Sequence, residues 1–220
     1  MKATITSLIF LLLSLTVSSQ TYKYIGIEEG LSNQKIYKIQ KDARGYMWFL
    51  THVGIDQYNG KEIKHYKLRE GNRELDPLLN INWTFLDKTG TLLVTGKQGR
   101  IFRYDSGHDR FVQIYNMYNY WNKDYHAFVR YSYIDQEDNV WLCGKSAIHL
   151  FNIESGQKQQ ISNRLGNITC IEQINSEHFF IGTDKRIYLA KLENGNLKEL
   201  SCGKLGMMDM HVHELYLHRT

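Results

Sequence analysis

The chain repeats itself, and that repeat limits its possible folds more than any other feature. Asp42-Ala-Arg-Gly45-Tyr-Met-Trp48-Phe-Leu-Thr51 recurs as Asp87-Lys-Thr-Gly90-Thr-Leu-Leu93-Val-Thr-Gly96 and as Asp135-Gln-Glu-Asp138-Asn-Val-Trp141-Leu-Cys-Gly144. A fourth copy, one residue shorter, reads Asn175-Ser-Glu-His-Phe-Phe180-Ile-Gly-Thr183. With Trp48, Leu93, Trp141 and Phe180 taken as equivalent anchors, the spacings are 45, 48 and 39 residues. Their mean of about 44 is the length of one four-stranded propeller blade.

Each copy reads as strands in a fixed order. An alternating segment precedes the Asp (Ile36 to Ile39, Ile81 to Phe85, Phe128 to Tyr133, Ile168 to Glu172) and fits an innermost strand. Asp-x-x-Gly then supplies a turn, because the Asp side chain can accept from backbone N–H groups two residues on and Gly tolerates positive φ. The anchor opens a second strand. A third follows about seven residues later, and a Gly-containing turn at Asn59-Gly60, Ser106-Gly107, Ser155-Gly156 or Asn194-Gly195 leads to an outer strand.

No segment sustains helical periodicity, so the expected fold is all-β. It is a partial β-propeller of about four four-stranded antiparallel blades at about 34–68, 79–116, 127–162 and 167–200. A leftover strand opens the next blade within 209–220, and Tyr22 to Ile27 serves as an outer strand of the ring's last blade. The large, mostly aromatic anchors read as core.

Composition agrees: 15 Tyr, 9 Phe and 4 Trp against a single proline, Pro77, favour strands and a large core. A formal charge of +4, without a block of like charges, gives no footprint for nucleic acid. Cys143, Cys170 and Cys202, odd in number and unpaired in spacing, read as small buried apolar residues and not as a disulfide or zinc framework.

Met1-Lys2 is followed by an apolar run from Ile5 to Val17, too short to cross a bilayer of ~30 Å as a helix. With small residues at Val17-Ser18-Ser19 it reads as a signal peptide spanning 1–19, cleaved to leave Gln20 first; the alternative is an uncleaved anchor. The rest is expected to be exported and contains no second apolar stretch long enough to span a membrane. The roughly 200 residues after cleavage hold about four and a half blades, whereas a ring of seven needs roughly 300. Because an open fan leaves sheet edges and one blade face uncovered, the sequence is expected to be an N-terminal piece of a longer protein.

The opening Tyr24-Ile-Gly-Ile27-Glu-Glu-Gly30-Leu31-Ser32-Asn33, the Asp42 to Thr51 motif and Gly54-Ile55-Asp-Gln-Tyr58 together resemble the two-component regulator propeller repeats. That family forms the exported sensor region of bacterial hybrid two-component systems. The similarity is strongest in the first copy and good in the third at Val140-Trp141-Leu142, and it is thinner in the second and fourth, where Leu93 and Phe180 stand for Trp. It implies a sensor outside the inner membrane, in a protein that carries a second propeller, a histidine kinase and DNA-binding output elsewhere. It also implies an oligosaccharide or other small ligand, no cofactor, and a homodimeric full-length protein. No kinase, membrane span or nucleic-acid contact falls within this segment. A propeller scaffold for adhesion or protein assembly is the competing class, and an exported propeller lyase is a third.

Catalytic signatures are absent from the sequence: it has no Gly-rich phosphate loop, nucleophile elbow or Cys/His pair. His213-Glu214 followed by His218, with His211 nearby, is one residue too long for His-Glu-x-x-His, so no metal site is expected. The feature that breaks the repeat period is the connection Tyr115 to His126. Its Tyr118, Tyr120 and Trp121 could stack on the C–H face of a sugar while Asn122 and Asp124 bond its hydroxyls. The same rings could instead cover a blade edge or a second propeller.

Overall fold

The computed structural model describes residues 22–120, 128–193 and 195–204, except the side chains of 202–204. It is all-β. The first sheet runs β1 (Ile36–Lys41), β2 (Met47–Thr51), β3 (Ile55–Tyr58) and β4 (Ile63–Tyr66). A two-rung hairpin, β5 (Arg69–Glu70) and β6 (Arg73–Glu74), and a one-turn helix α1 (Pro77–Asn80) lead to the second sheet: β7 (Trp83–Leu86), β8 (Leu92–Thr95), β9 (Arg100–Asp105) and β10 (Arg110–Asn116). The third holds β11 (Tyr131–Ile134), β12 (Asn139–Cys143), β13 (Ala147–Asn152) and β14 (Lys158–Ser162). The fourth holds β15 (Ile168–Gln173), β16 (His178–Thr183), β17 (Arg186–Glu193) and β18 (Asn196–Lys204).

Every four-stranded sheet is an antiparallel meander in chain order. The first strands β1, β7, β11 and β15 lie beside one another in succession, as the innermost strands of a propeller must.

Three apolar layers cement the four sheets. Trp48 packs edge-on against Tyr104 (4.7 Å) and Phe111 (5.7 Å), tying sheet one to sheet two. Leu93 and Ile101 meet Val140 and Leu142 between sheets two and three, and Trp141 packs on Phe179 (4.8 Å) between sheets three and four. Trp48, Leu93 and Trp141 are fully buried. Phe180 occupies the equivalent register, opposite Glu172 as Trp141 is opposite Tyr133, but is only half-buried. No sheet among the described residues covers its face.

The repeated Asp explains why the motif recurs. Asp42 Oδ1 accepts the N–H groups of Arg44 (2.9 Å) and Tyr46 (3.0 Å), while its Oδ2 accepts the indole N–H of Trp48 (2.9 Å). Asp135 does the same for Glu137 (3.0 Å), Asn139 (2.8 Å) and Trp141 (2.9 Å). One carboxylate therefore closes the turn and orients the core tryptophan.

The second repeat has Leu93 and no indole. There Arg103, opposite Leu93 in register, brings its guanidinium to 2.7 Å from Asp87 Oδ2. In the fourth, Asn175 holds the turn through the N–H groups of Glu177 (3.1 Å) and His178 (3.0 Å), and the neutral amide suits a repeat whose Phe180 offers no donor.

The residue after the Asp links neighbouring blades. Ala43 N donates to Gly90 O (3.2 Å), Lys88 N to Asp138 Oδ1 (3.1 Å), and Gln136 N to Gln173 Oε1 (2.6 Å). Gly90 is required twice over, by φ of +73° and because a Cβ there would lie 2.3 Å from that of Ala43. Asp138 takes φ of +61° at the glycine position of its own repeat, which an Asp tolerates better than most residues, and its carboxylate is the acceptor for blade two.

Two expectations need correcting. Residues 22–25 are irregular and 26–30 form a turn, so Tyr22 to Ile27 is not a strand here: no described sheet offers it a partner. Ile81 lies outside the strand expected for it, capping α1, whose start is set by the Asp76 side chain accepting Leu78 N (2.9 Å) and by Pro77 at the first turn. One turn of helix is too short to register as a period. The opening Gly-Leu-Ser-Asn docks on sheet one, with Leu31 buried and Ser32 donating from N (2.7 Å) and Oγ (2.8 Å) to the buried Asp56.

Removing Arg103 would leave Asp87, whose side chain is 1% exposed, with an uncompensated charge. Arg103→Ala is therefore expected to cost about 3 kcal/mol in urea unfolding. Arg44→Ala, beside the already satisfied Asp42, should cost under about 1 kcal/mol. Leu93→Trp should recover part of the Arg103→Ala loss.

Candidate functional site

In a propeller the sheets are scaffold, and the loops at their two ends meet other molecules. The long aromatic connection begins where Asn116 at the end of β10 accepts Tyr118 N (3.1 Å), starting a single 3-10 turn over Met117–Asn119. Met117 is buried, and Tyr118 is half-buried against the layer between sheets two and three. Tyr120 lies parallel to Tyr115 at 5.6 Å, and Tyr115 stacks on the core residue Phe151 at 4.7 Å.

The Lys158 ammonium sits 4.3 Å from the Tyr120 ring centroid, yet 54% of Tyr120 is exposed, enough for a ligand to reach it. Of the five contact residues expected from sequence, Tyr118 and Tyr120 are thus anchored on the blade edge. Trp121, Asn122 and Asp124 lie outside the described residues, as do His211, His213, Glu214, His218 and the strand expected within 209–220.

The fold also sorts charge in a way that composition conceals. In an antiparallel meander, the turn between second and third strands and the link to the next blade fall at one end, and the other two turns fall at the opposite end. The first end carries Lys35, Lys97, Arg130, Lys145, Arg164 and Lys185, with Asp184 among them. The link 67–82 on that end is internally balanced. The opposite end carries Asp105, Asp109, Glu137, Asp138, Glu154 and Glu177 against Arg44, Lys61 and Lys88. Sequence reasoning missed this polarity, because the cations come singly from separate turns; only the strand order gathers them.

Two titratable groups show how their surroundings constrain charge, Asp109 at the surface and His149 in the interior. Asp109, at φ of +49°, accepts from Tyr66 (2.6 Å), Tyr104 (2.5 Å) and Lys64 (3.0 Å), bridging sheets one and two. These donors, Tyr104 first, hold its carboxyl down to about 2. His149, buried on the face of β13 away from Ile148 and Leu150, is held down to about 4 by desolvation. Cys143 and Cys170 are buried, and burial pushes the Cys143 thiol up. Among the described residues no group of His, Cys, Asp and Glu is arranged to hold a metal.

Residues 30–52 match the family model of the two component regulator propeller. The first repeat thus matches, by sequence, the family its motif resembles. The propeller fold is shared with a solved structure described as the extracellular domain of the hybrid two component system BT3049 from B. thetaiotaomicron, at a TM-score of 0.61 and 16% identity. That alignment covers 81% of this chain and 26% of the other, so the chain spans about a quarter of its length.

The extracellular domain of BT4673 from the same organism aligns at a TM-score of 0.46 and 12% identity, over 83% of this chain and 31% of that one. BamB from Moraxella catarrhalis aligns at 0.49 and 14%, over 79% and 50%. No curated protein matches the sequence.

The depressed pKa of His149 makes stability depend on pH. The folded state resists protonating the ring while the unfolded chain titrates near its ordinary 6.5, so the contribution is complete above about 6.5 and is lost as pH falls toward 4. Urea unfolding at pH 7 and pH 4.5 should differ by about 2–3 kcal/mol, and His149→Leu should remove most of that difference. Asp109, depressed from 3.8 to about 2, adds its own loss only below about pH 4.

Proposed function

We propose that this chain is an exported, ligand-sensing propeller segment of a hybrid two-component histidine kinase. In this reading it lies on the periplasmic side of the inner membrane and reports an oligosaccharide, so that the genes for glycan use can be regulated. The observation that carries the reading is the match of residues 30–52 to the two component regulator propeller family. The fold shared with the BT3049 extracellular domain and the apolar run at the start of the sequence support it. Among the described residues no helix is long and apolar enough to cross a membrane. The chain would contribute recognition, with no catalytic step of its own, and would act with further blades, a second propeller and a second copy of the receptor.

Physically, a propeller suits this role because rigid sheets fix the loops at each end, so a ligand that bridges loops of adjacent blades can bias how the domain packs on its neighbours. The reading frame beyond these residues tests the proposal. A transmembrane helix followed by a kinase phosphoacceptor His is expected; a stop after two further blades, or a sorting signal, would overturn it in favour of a scaffold.

Within this reading the aromatic connection is a ligand contact. Trp121→Ala should weaken oligosaccharide binding to the complete sensor domain by ~1–3 kcal/mol with little change in Tm. A large fall in Tm with unchanged affinity per folded molecule would make the ring a packing element instead.

A further inference from the structure

Where the third and fourth sheets meet at the basic end, a cleft of about 460 Å3 opens between three short segments. The turn between β12 and β13 contributes Lys145, the link from β14 to β15 contributes Arg164, and the turn between β16 and β17 contributes Asp184 and Lys185. Buried Tyr188 of β17 lines it from below.

The walls are fixed by hydrogen bonds. Asn163, itself buried, donates from Nδ2 to Gly144 O (2.8 Å) and Gly166 O (2.9 Å), and its Oδ1 accepts Leu165 N (3.0 Å). Asn167 O accepts Asp184 N (3.2 Å), and Asn167 Nδ2 donates to Asp184 Oδ2 (3.0 Å). The three segments therefore cannot drift apart to relieve repulsion between the cations they carry.

Lys145, Arg164 and Lys185 are exposed and form no ion pair among the described residues. Elsewhere Arg44, Lys64, Lys67, Arg100, Arg103 and Lys191 each have a carboxylate partner. Like charges held around one concavity, at an end of the molecule already rich in cations, concentrate positive potential inside it. The one carboxylate lining the cleft, Asp184, is occupied on Oδ2 by Asn167 and makes no ion pair with Lys145, Arg164 or Lys185; Arg186 lines the cleft as well.

We propose that this cleft binds a small hydroxylated polyanion, of the sugar-acid or sulfated-sugar kind. Lys145, Arg164 and Lys185 take its oxyanion groups, and Asp184 accepts from a hydroxyl. The volume falls within the ~300–1,000 Å3 of organic-ligand pockets and far exceeds the space an inorganic ion fills. A polyanion without hydroxyls would leave Asp184 facing it as an unrelieved like charge. The assignment rests on the sensory reading only in treating this ligand as a signal; the binding does not depend on it.

Calorimetric titration of the whole chain with D-glucarate, adipate, D-glucitol and D-glucitol 1,6-disulfate tests it. Glucarate has two carboxylates and four hydroxyls, adipate is the same diacid without hydroxyls, and glucitol is the same skeleton without charge. Saturable 1:1 binding of glucarate or of the sulfate ester is expected, weakened at least tenfold in Arg164→Gln/Lys185→Gln. It should be unchanged within twofold in Lys61→Gln/Lys88→Gln, which removes equal charge from the opposite end. Whichever of the two binds more tightly identifies the preferred oxyanion. Asp184→Asn should narrow the preference for glucarate over adipate.

No saturable binding of either anion, equal loss in both double variants, or glucitol binding as tightly as glucarate would overturn the proposal. If binding behaves as expected but no kinase is encoded downstream, the cleft stands and the sensory reading falls. A complete receptor that signals undiminished after Arg164→Gln/Lys185→Gln would overturn this cleft as the signal site and leave the sensory reading intact.

Discussion

A buried carboxylate at the first turn of the blade is the interaction on which the rest of this structure depends. Burying a charge is costly unless its oxygens are hydrogen-bonded or paired. Asp42 and Asp135 meet that condition with two backbone N–H groups and an indole, so the turn that reverses the chain and the ring that fills the space between blades are set by one group. The next residue's N–H then reaches across to the neighbouring blade, at Gly90, Asp138 and Gln173. Turn, core and blade-to-blade register are thereby coupled within a few residues.

That coupling explains how the repeats can diverge without the fold diverging. The second blade lost the tryptophan, and Arg103 from the facing strand supplies the missing donor charge. The fourth lost both the ring donor and the acid, and Asn175 keeps the turn bonds without a charge to neutralise. At Asp138 the glycine is gone, and the replacement side chain has become the acceptor for the previous blade. In the second and fourth repeats, the absence of the indole donor is matched by a change in the group that faces or replaces the acid.

The consequence for function lies in the two ends of the fan. Sheets held this firmly present their turns as fixed arrays, and the meander decides which turns share an end. A chain with a formal charge of only +4 acquires a cationic end and an anionic end from that topology alone. The aromatic connection leaves the blade edge on the cationic end, with Tyr118 turned into the interblade layer and Tyr120 stacked outside it. Under the proposed function, recognition by this segment would draw on ring faces set beside positive potential.

The sequence by itself determined the period, the strand order within each blade and the all-β class, because the Asp-x-x-Gly turn and its anchor are local and recur at a fixed spacing. It also marked the anchors as core, and Trp48, Leu93 and Trp141 are. It could not reveal α1 or the β5–β6 hairpin, whose few residues make no period, nor the irregular course of Tyr22 to Ile27, which depends on whether a partner strand is present. Arg103, Asp109 and the cations around the cleft at Asn163 were invisible for a different reason. Arg103 lies 16 positions from Asp87, Asp109 lies 43 from Tyr66 and 45 from Lys64, the cations of the cleft come from separate turns, and nothing in local spacing reports which turns a stack of sheets brings together. Tertiary structure alone decided that three separate turns share one concavity, because proximity there follows from how the blades pack, not from their order along the chain.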